Sequence, residues 1–192
     1  AYDFHAQGEF WGNLSPEMPF QLRFSPMPNN PDATYTSRLA ARLGAVRVEV
    51  YPLNLGDWPE ANAFLPQVPL GVAVEGEDRT AELSERGFLA LPGDAYVAVA
   101  RWGEVRVNGQ FVGRRPLELA LVFPGENPRP ALVVIGDSLS GGGVRMLGVG
   151  AVRPGALAGR LSGLMGNANG NPGDDFVTRD GRRLDPPLSF GT

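Results

Sequence analysis

The chain has 192 residues, 43% of them hydrophobic and 20% charged, with a formal net charge of -4. That length buries a full core in one compact domain, and a slightly acidic balance argues against nucleic acid as a partner. The absence of cysteine excludes a disulfide-stapled scaffold and leaves either side of a bacterial membrane open, while no run of about 18 apolar residues is present to span a bilayer.

All 17 basic residues are arginine, which reads as the coding bias of a GC-rich bacterial genome. They are scattered, for example Arg47, Arg79, Arg106, Arg145 and Arg160, so no basic patch is expected. Ala1 at the first position fits removal of a signal peptide or of a longer precursor, and equally a chain that continues upstream.

Taken in order, the elements are mostly strands. Ser25 to Asp32, with Pro26, Pro28, Asn29, Asn30 and Pro31, reads as a loop. Ser37 to Leu43 fits either a helix stopped by Gly44 or a strand. Val46, Val48 and Val50 alternate with Arg47 and Glu49, the pattern of a half-buried strand. Asp57 to Phe64 opens with a capping Asp, Pro and Glu, so one or two helical turns are expected there. Glu75-Gly76-Glu77-Asp78 is a solvated turn. Gly87 to Leu91, then Pro92-Gly93-Asp94, then Tyr96 to Val99 reads as a strand pair, and Asn108-Gly109 between Val107 and Phe111 carries the signal of a type I′ hairpin turn. Leu117, Leu119 and Leu121 mark another half-buried strand, and Leu132 to Ile135 one covered on both faces. Short strands punctuated by 26 Gly and 18 Pro predict an all-β antiparallel sandwich with short helical turns.

Two stretches suggest chemistry. Val134-Ile135-Gly136-Asp137-Ser138-Leu139-Ser140 is similar to the nucleophile block of GDSL-type esterases. Those enzymes carry the block early and a His with its Asp late, whereas the single His here is His5 and no His follows Ser138. A Ser without a base is a weak nucleophile, so Asp137 to Gly143 reads instead as a polar hairpin loop. Glu75, Glu77 and Asp78, or Asp57 and Glu60, are poor candidates for a glycosidic acid pair, and one His without Cys gives zinc no ligand set. Trp11, Trp58 and Trp102 would form a sugar-stacking surface only if two of them lined one exposed groove; core packing is the commoner role.

The second stretch runs from Gly163 to Phe176 and sets oxygen-bearing side chains at Asn167, Asn169, Asn171, Asp174 and Asp175. Gly166, Gly170 and Gly173 permit the torsions of a wrapped loop, and an all-oxygen set favours calcium over zinc or copper. A polar turn has the same composition, and the spacing differs from a helix-loop-helix calcium site, because Thr178 stands where a bidentate Glu would be needed.

Gly163, Leu164, Gly166, Asn167, Asn169, Gly170, Asp174, Asp175, Phe176, Thr178, Asp180 and Gly181 together give Gly-Leu-x-Gly-Asn-x-Asn-Gly, Asp-Asp-Phe and Thr-x-Asp-Gly in one register. This resembles the end of a von Willebrand factor type D domain. Tyr2-Asp3-Phe4 with Gly8-Glu9-Phe10 resembles that family's opening strand, and Val105 to Gly109 its central hairpin. The resemblance covers about residues 1 to 184 and leaves 185 to 192, with Pro186 and Pro187, as a tail or linker.

The resemblance implies a strand over Ser37 to Leu43 and a calcium ion at Asn167, Asn169, Asn171, Asp174 and Asp175. It also implies a non-enzymatic structural or adhesion role in a cell-surface or secreted assembly, with other domains or subunits as partners. Met165 stands where the family usually has Cys, so this is a cysteine-free variant. The family's upstream Thr-Phe-Asp-Gly segment, a source of one further aspartate, does not occur before Tyr2. Low-charge calcium sites bind at about 10⁻⁴ to 10⁻³ M, which suits an extracellular location. A serine hydrolase and a carbohydrate-binding sandwich remain as alternative readings.

Overall fold

Alternating sequence becomes paired strands in two successive meanders. The computed structural model describes residues 7–13, 15–28, 30–53, 68–107, 109–125, 128–139 and 144–152. The first sheet is built from β1 (Gly8–Asn13), β2 (Phe20–Met27), β3 (Asn30–Leu43), β4 (Val46–Pro52), β5 (Leu70–Val74) and β6 (Glu77–Asp78). A short helix, α1 (Thr80–Arg86), leads to the second sheet, made of β7 (Phe88–Ala90), β8 (Tyr96–Val107), β9 (Gln110–Val122), β10 (Ala131–Leu139) and β11 (Val144–Val152). In both sheets each strand lies antiparallel beside its neighbour in sequence. The expected all-β antiparallel sandwich is the fold observed.

One apolar cluster joins the inner faces. Leu39, Val48, Val50 and Val72 from the first sheet meet Leu119, Leu121, Leu132 and Val134 from the second, each fully buried. Each such aliphatic side chain contributes about 1.5–3 kcal/mol by leaving water. The period of two in β4 and β9 therefore sorts residues inward and outward as their sequences predict.

Close backbone approach fixes how the sheets close on one another. The Val68 amide donates to the Gly136 carbonyl at 3.2 Å, which ties the segment before β5 to β10. A Cβ at position 136 would stand 1.8 Å from the Val68 carbonyl oxygen, so only glycine fits. The first connection is held by Asn13, a fully buried side chain whose Nδ2 donates to the Met18 carbonyl at 2.9 Å and whose Oδ1 accepts from the Ser15 amide.

Several local expectations change. Ser25 to Asp32 is a hairpin rather than a loop: Pro26 pairs with Thr34, and β3 already begins at Asn30. Proline is tolerated because the ladder is broken there, with a register shift between Pro26 and Met27. Ser37 to Leu43 is strand, as the family resemblance implies. Leu132 and Val134 are buried while Val133 and Ile135 are half-buried, so β10 is fully covered on one face only. Helix α1 has no counterpart in the sequence reading, although its signals are visible. Asp78 Oδ1 accepts the Thr80 amide at 2.8 Å, Arg86 sits in the last turn, and Gly87 closes the end at φ 73 with its amide on the Leu83 carbonyl. Of the turn expected at Glu75 to Asp78, Glu75 and Gly76 form the bend, both at positive φ, while Glu77 and Asp78 are the strand β6. The helical turns expected at Asp57 to Phe64 lie outside the described residues.

Candidate functional site

Strand register brings arginines far apart in sequence onto one face. In the first sheet Arg23 lies opposite Arg38, Arg42 opposite Arg47, and Gln21, Ala40 and Glu49 share the row between them. Side chains two apart on a strand share a face. Ala40 therefore has Arg38 and Arg42 before and after it, Gln21 and Glu49 beside it, and Arg23 and Arg47 at the diagonals. The small Ala40 side chain leaves a shallow groove of about 90 Å³ lined by Glu9, Gln21, Arg23, Arg38, Ala40, Arg47 and Glu49. This corrects the expectation of scattered arginines, because pairing between strands, not spacing along the chain, decides which residues meet.

Two carboxylates hold the guanidinium groups in place. Glu49, only 14% exposed, accepts from Arg38 Nη1 at 2.9 Å with one oxygen and meets Arg47 Nη2 at 3.0 Å with the other. Glu9 Oε1 accepts from both Nε and Nη2 of Arg23. These hydrogen bonds from Arg23, followed by its positive charge, lower the Glu9 pKa below the usual carboxylate range. Arg23, Arg38, Arg42 and Arg47 against Glu9 and Glu49 leave two positive charges in excess, on a chain whose total is -4. Like charges directly opposite across strands are destabilising, so the Arg23–Arg38 and Arg42–Arg47 pairings concentrate a positive potential that the two carboxylates only partly offset.

Aromatic residues flank the groove on both sides. Trp11 pairs with Gln21 and shares the face of Glu9, with the residue 45% exposed. On the far side the Arg38 guanidinium lies 5.3 Å from the centre of the Tyr51 ring, and that ring covers Gly71, where a Cβ would meet it at 2.4 Å. Burial raises the Tyr51 pKa, and hydrogen bonding from Thr80 lowers that of Asp78.

The nucleophile-like block has a different setting. Asp137 and Ser138 lie within β10, paired with Met146 and Arg145 of β11, so strand continues through Ser138 where a hairpin loop was expected from Asp137 onward. The Asp137 carboxylate accepts the amide of Ser138 at 2.7 Å, a local turn-type contact within one strand edge. Gly136 in the same block has the packing role described above. His5 lies outside the described residues.

Trp11 and Trp102 belong to different sheets, and Trp102 stacks with Arg114 at 4.9 Å from its ring centre; Trp58 lies outside the described residues. Asn167, Asn169, Asn171, Asp174 and Asp175 also lie outside them, as does the tail from 185 to 192. Among the described residues no group of three or more His, Cys, Asp or Glu side chains is arranged to hold a metal ion, and no helix is long and apolar enough to cross a membrane. The groove over Ala40 escaped the sequence reading; its one signal was the arginine at alternate outward positions of successive strands.

No family model and no curated protein matches the chain.

Proposed function

We propose that this chain is a non-enzymatic, extracellular calcium-binding module that serves structure or adhesion within a larger cell-surface or secreted assembly. The observation that carries the reading is the oxygen-rich, glycine-punctuated sequence from Gly163 to Gly181, in the register of a von Willebrand factor type D domain. The antiparallel sandwich is compatible with it. The side chains of Asn167, Asn169, Asp174 and Asp175 and the main-chain oxygen of Asn171 supply the oxygen ligands, and water completes the shell. Calcium offsets the cost of ordering that segment, about 1–2 kcal/mol per residue in backbone entropy alone.

In this reading the metal organises and does not catalyse. Pairing of Asp137, Ser138 and Leu139 with β11, which carries the strand past Ser138, supports it over the hydrolase alternative, in which a strand ends at the attacking hydroxyl. Thermal unfolding with and without excess chelator is the test. Chelation lowers the melting temperature of the wild-type chain, and Asp174→Ala with Asp175→Ala removes that sensitivity. A wild-type melting curve indifferent to chelator rules the ion out as a stabiliser.

A further inference from the structure

We propose that the groove over Ala40 binds an acidic polysaccharide through the carboxylate of a uronic acid residue, with Trp11 as the platform for a neighbouring sugar ring. Three observations on the first sheet carry this. The guanidinium groups are pre-placed: Glu49 holds Arg38 and Arg47 through separate oxygens and Glu9 holds Arg23, so an incoming oxyanion meets donors that have already lost much of their side-chain freedom. The floor is one methyl group, Ala40, in a groove of about 90 Å³, which has room for a small oxyanion. An exposed tryptophan stands in the same row, on Trp11–Gln21–Ala40–Glu49.

Each component answers one feature of the ligand. Arg23, Arg38 and Arg47 outnumber Glu9 and Glu49 in the lining and attract the carboxylate, with Arg42 adding charge beside the groove, and the fork of an arginine matches its two oxygens. Gln21, beside Ala40, offers an amide that both donates and accepts, the pairing that sugar hydroxyls use. Trp11 supplies a large apolar surface with no charge requirement. A ribbon of like-charged residues alone would attract any polyanion; the tryptophan in register with it is what selects a sugar. The inference draws on the first sheet only, so it stands or falls apart from the calcium reading.

The test is binding of the intact chain to polygalacturonate at low ionic strength by isothermal titration calorimetry, with neutral dextran and polyglutamate as the contrasting polymers. Polygalacturonate binds, dextran does not, and added salt weakens the binding as expected for exposed charges. Arg23→Gln with Arg47→Gln reduces affinity by about tenfold or more, the loss expected for charge-assisted hydrogen bonds. Trp11→Ser weakens polygalacturonate about two- to tenfold, the usual scale of an aromatic contact, and leaves polyglutamate unaffected. All three side chains are on exposed residues, and circular dichroism melts of the variants verify folding. The wild-type comparison of polygalacturonate with dextran and polyglutamate tests the proposal even if a variant fails to fold. Equal affinity for polyglutamate with no effect of Trp11 overturns the sugar assignment, and no binding of polygalacturonate overturns the site.

Discussion

The two sheets share one inner pattern and differ in what they show outward. Outward positions in the first sheet carry Glu9, Arg23, Arg38, Arg42, Arg47 and Glu49, with ion pairs across strands at Glu9–Arg23 and Arg38–Glu49 and along β4 at Arg47–Glu49. The corresponding rows of the second sheet carry Ala98, Ala120, Val133 and Gly150 in one register, with Phe88 opposite Ala98 and Tyr96 stacked against Phe88 at 5.2 Å. Inner residues on both sides are equally buried. A shared demand inside and different rows outside, with the Arg101–Glu118 ion pair lying beside the apolar row of the second sheet, separate what the fold requires from what it leaves free for other uses.

The comparison rests on the shared interior, and Gly136→Ala strikes it hardest. A methyl group driven toward the Val68 carbonyl forces strands apart, and the expected loss is about 3 kcal/mol in urea unfolding. A smaller loss means that the segment before β5 yields more readily than its hydrogen bond to Gly136 implies. Next comes a matched pair. Ala120→Glu sets a charge among half-buried Ala98 and Val133 and costs about 1–3 kcal/mol. Ala40→Glu lands between Arg38 and Arg42 and changes stability by less than about 1 kcal/mol. Equal costs would erase the distinction between the two faces.

The mildest effect is a pH response. Asp78 has a folded-state pKa depressed by hydrogen bonding to Thr80, so its contribution is complete above the ordinary aspartate range and is lost as pH falls through the lowered value. Glu9 behaves in the same direction through Arg23. Acid titration of unfolding therefore shows a loss below the usual carboxylate range that Asp78→Asn diminishes. A titration unchanged by that substitution removes Asp78 as a contributor.

Much of the fold was legible because burial on one face writes itself into the sequence. Val46, Val48, Val50 and Leu117, Leu119, Leu121 point inward as their alternation predicts. Short or interrupted elements were harder to read. Helix α1 spans seven residues, too few for a periodic stripe to stand out, and its caps were the only signal. Pro26 and Pro31 suggested a loop because proline weakens a ladder, yet the hairpin tolerates both beside a register shift. The arginine groove was hidden for another reason. Arg23, Arg38, Arg42 and Arg47 occupy three strands, and only their register places them around Ala40. The proposed calcium ligands were the reverse case, adjacent in sequence and so visible without any fold.

Meander topology also bears on how the chain acquires its structure. Every ladder in both sheets joins consecutive strands, so most closures during sheet growth are short and their entropic barrier low, the longest being the connection between Pro52 of β4 and Leu70 of β5. The short hairpins of each sheet can form locally, whereas the β4–β5 pairing and the contact of Val68 with Gly136 join residues distant in sequence and carry the larger closure cost.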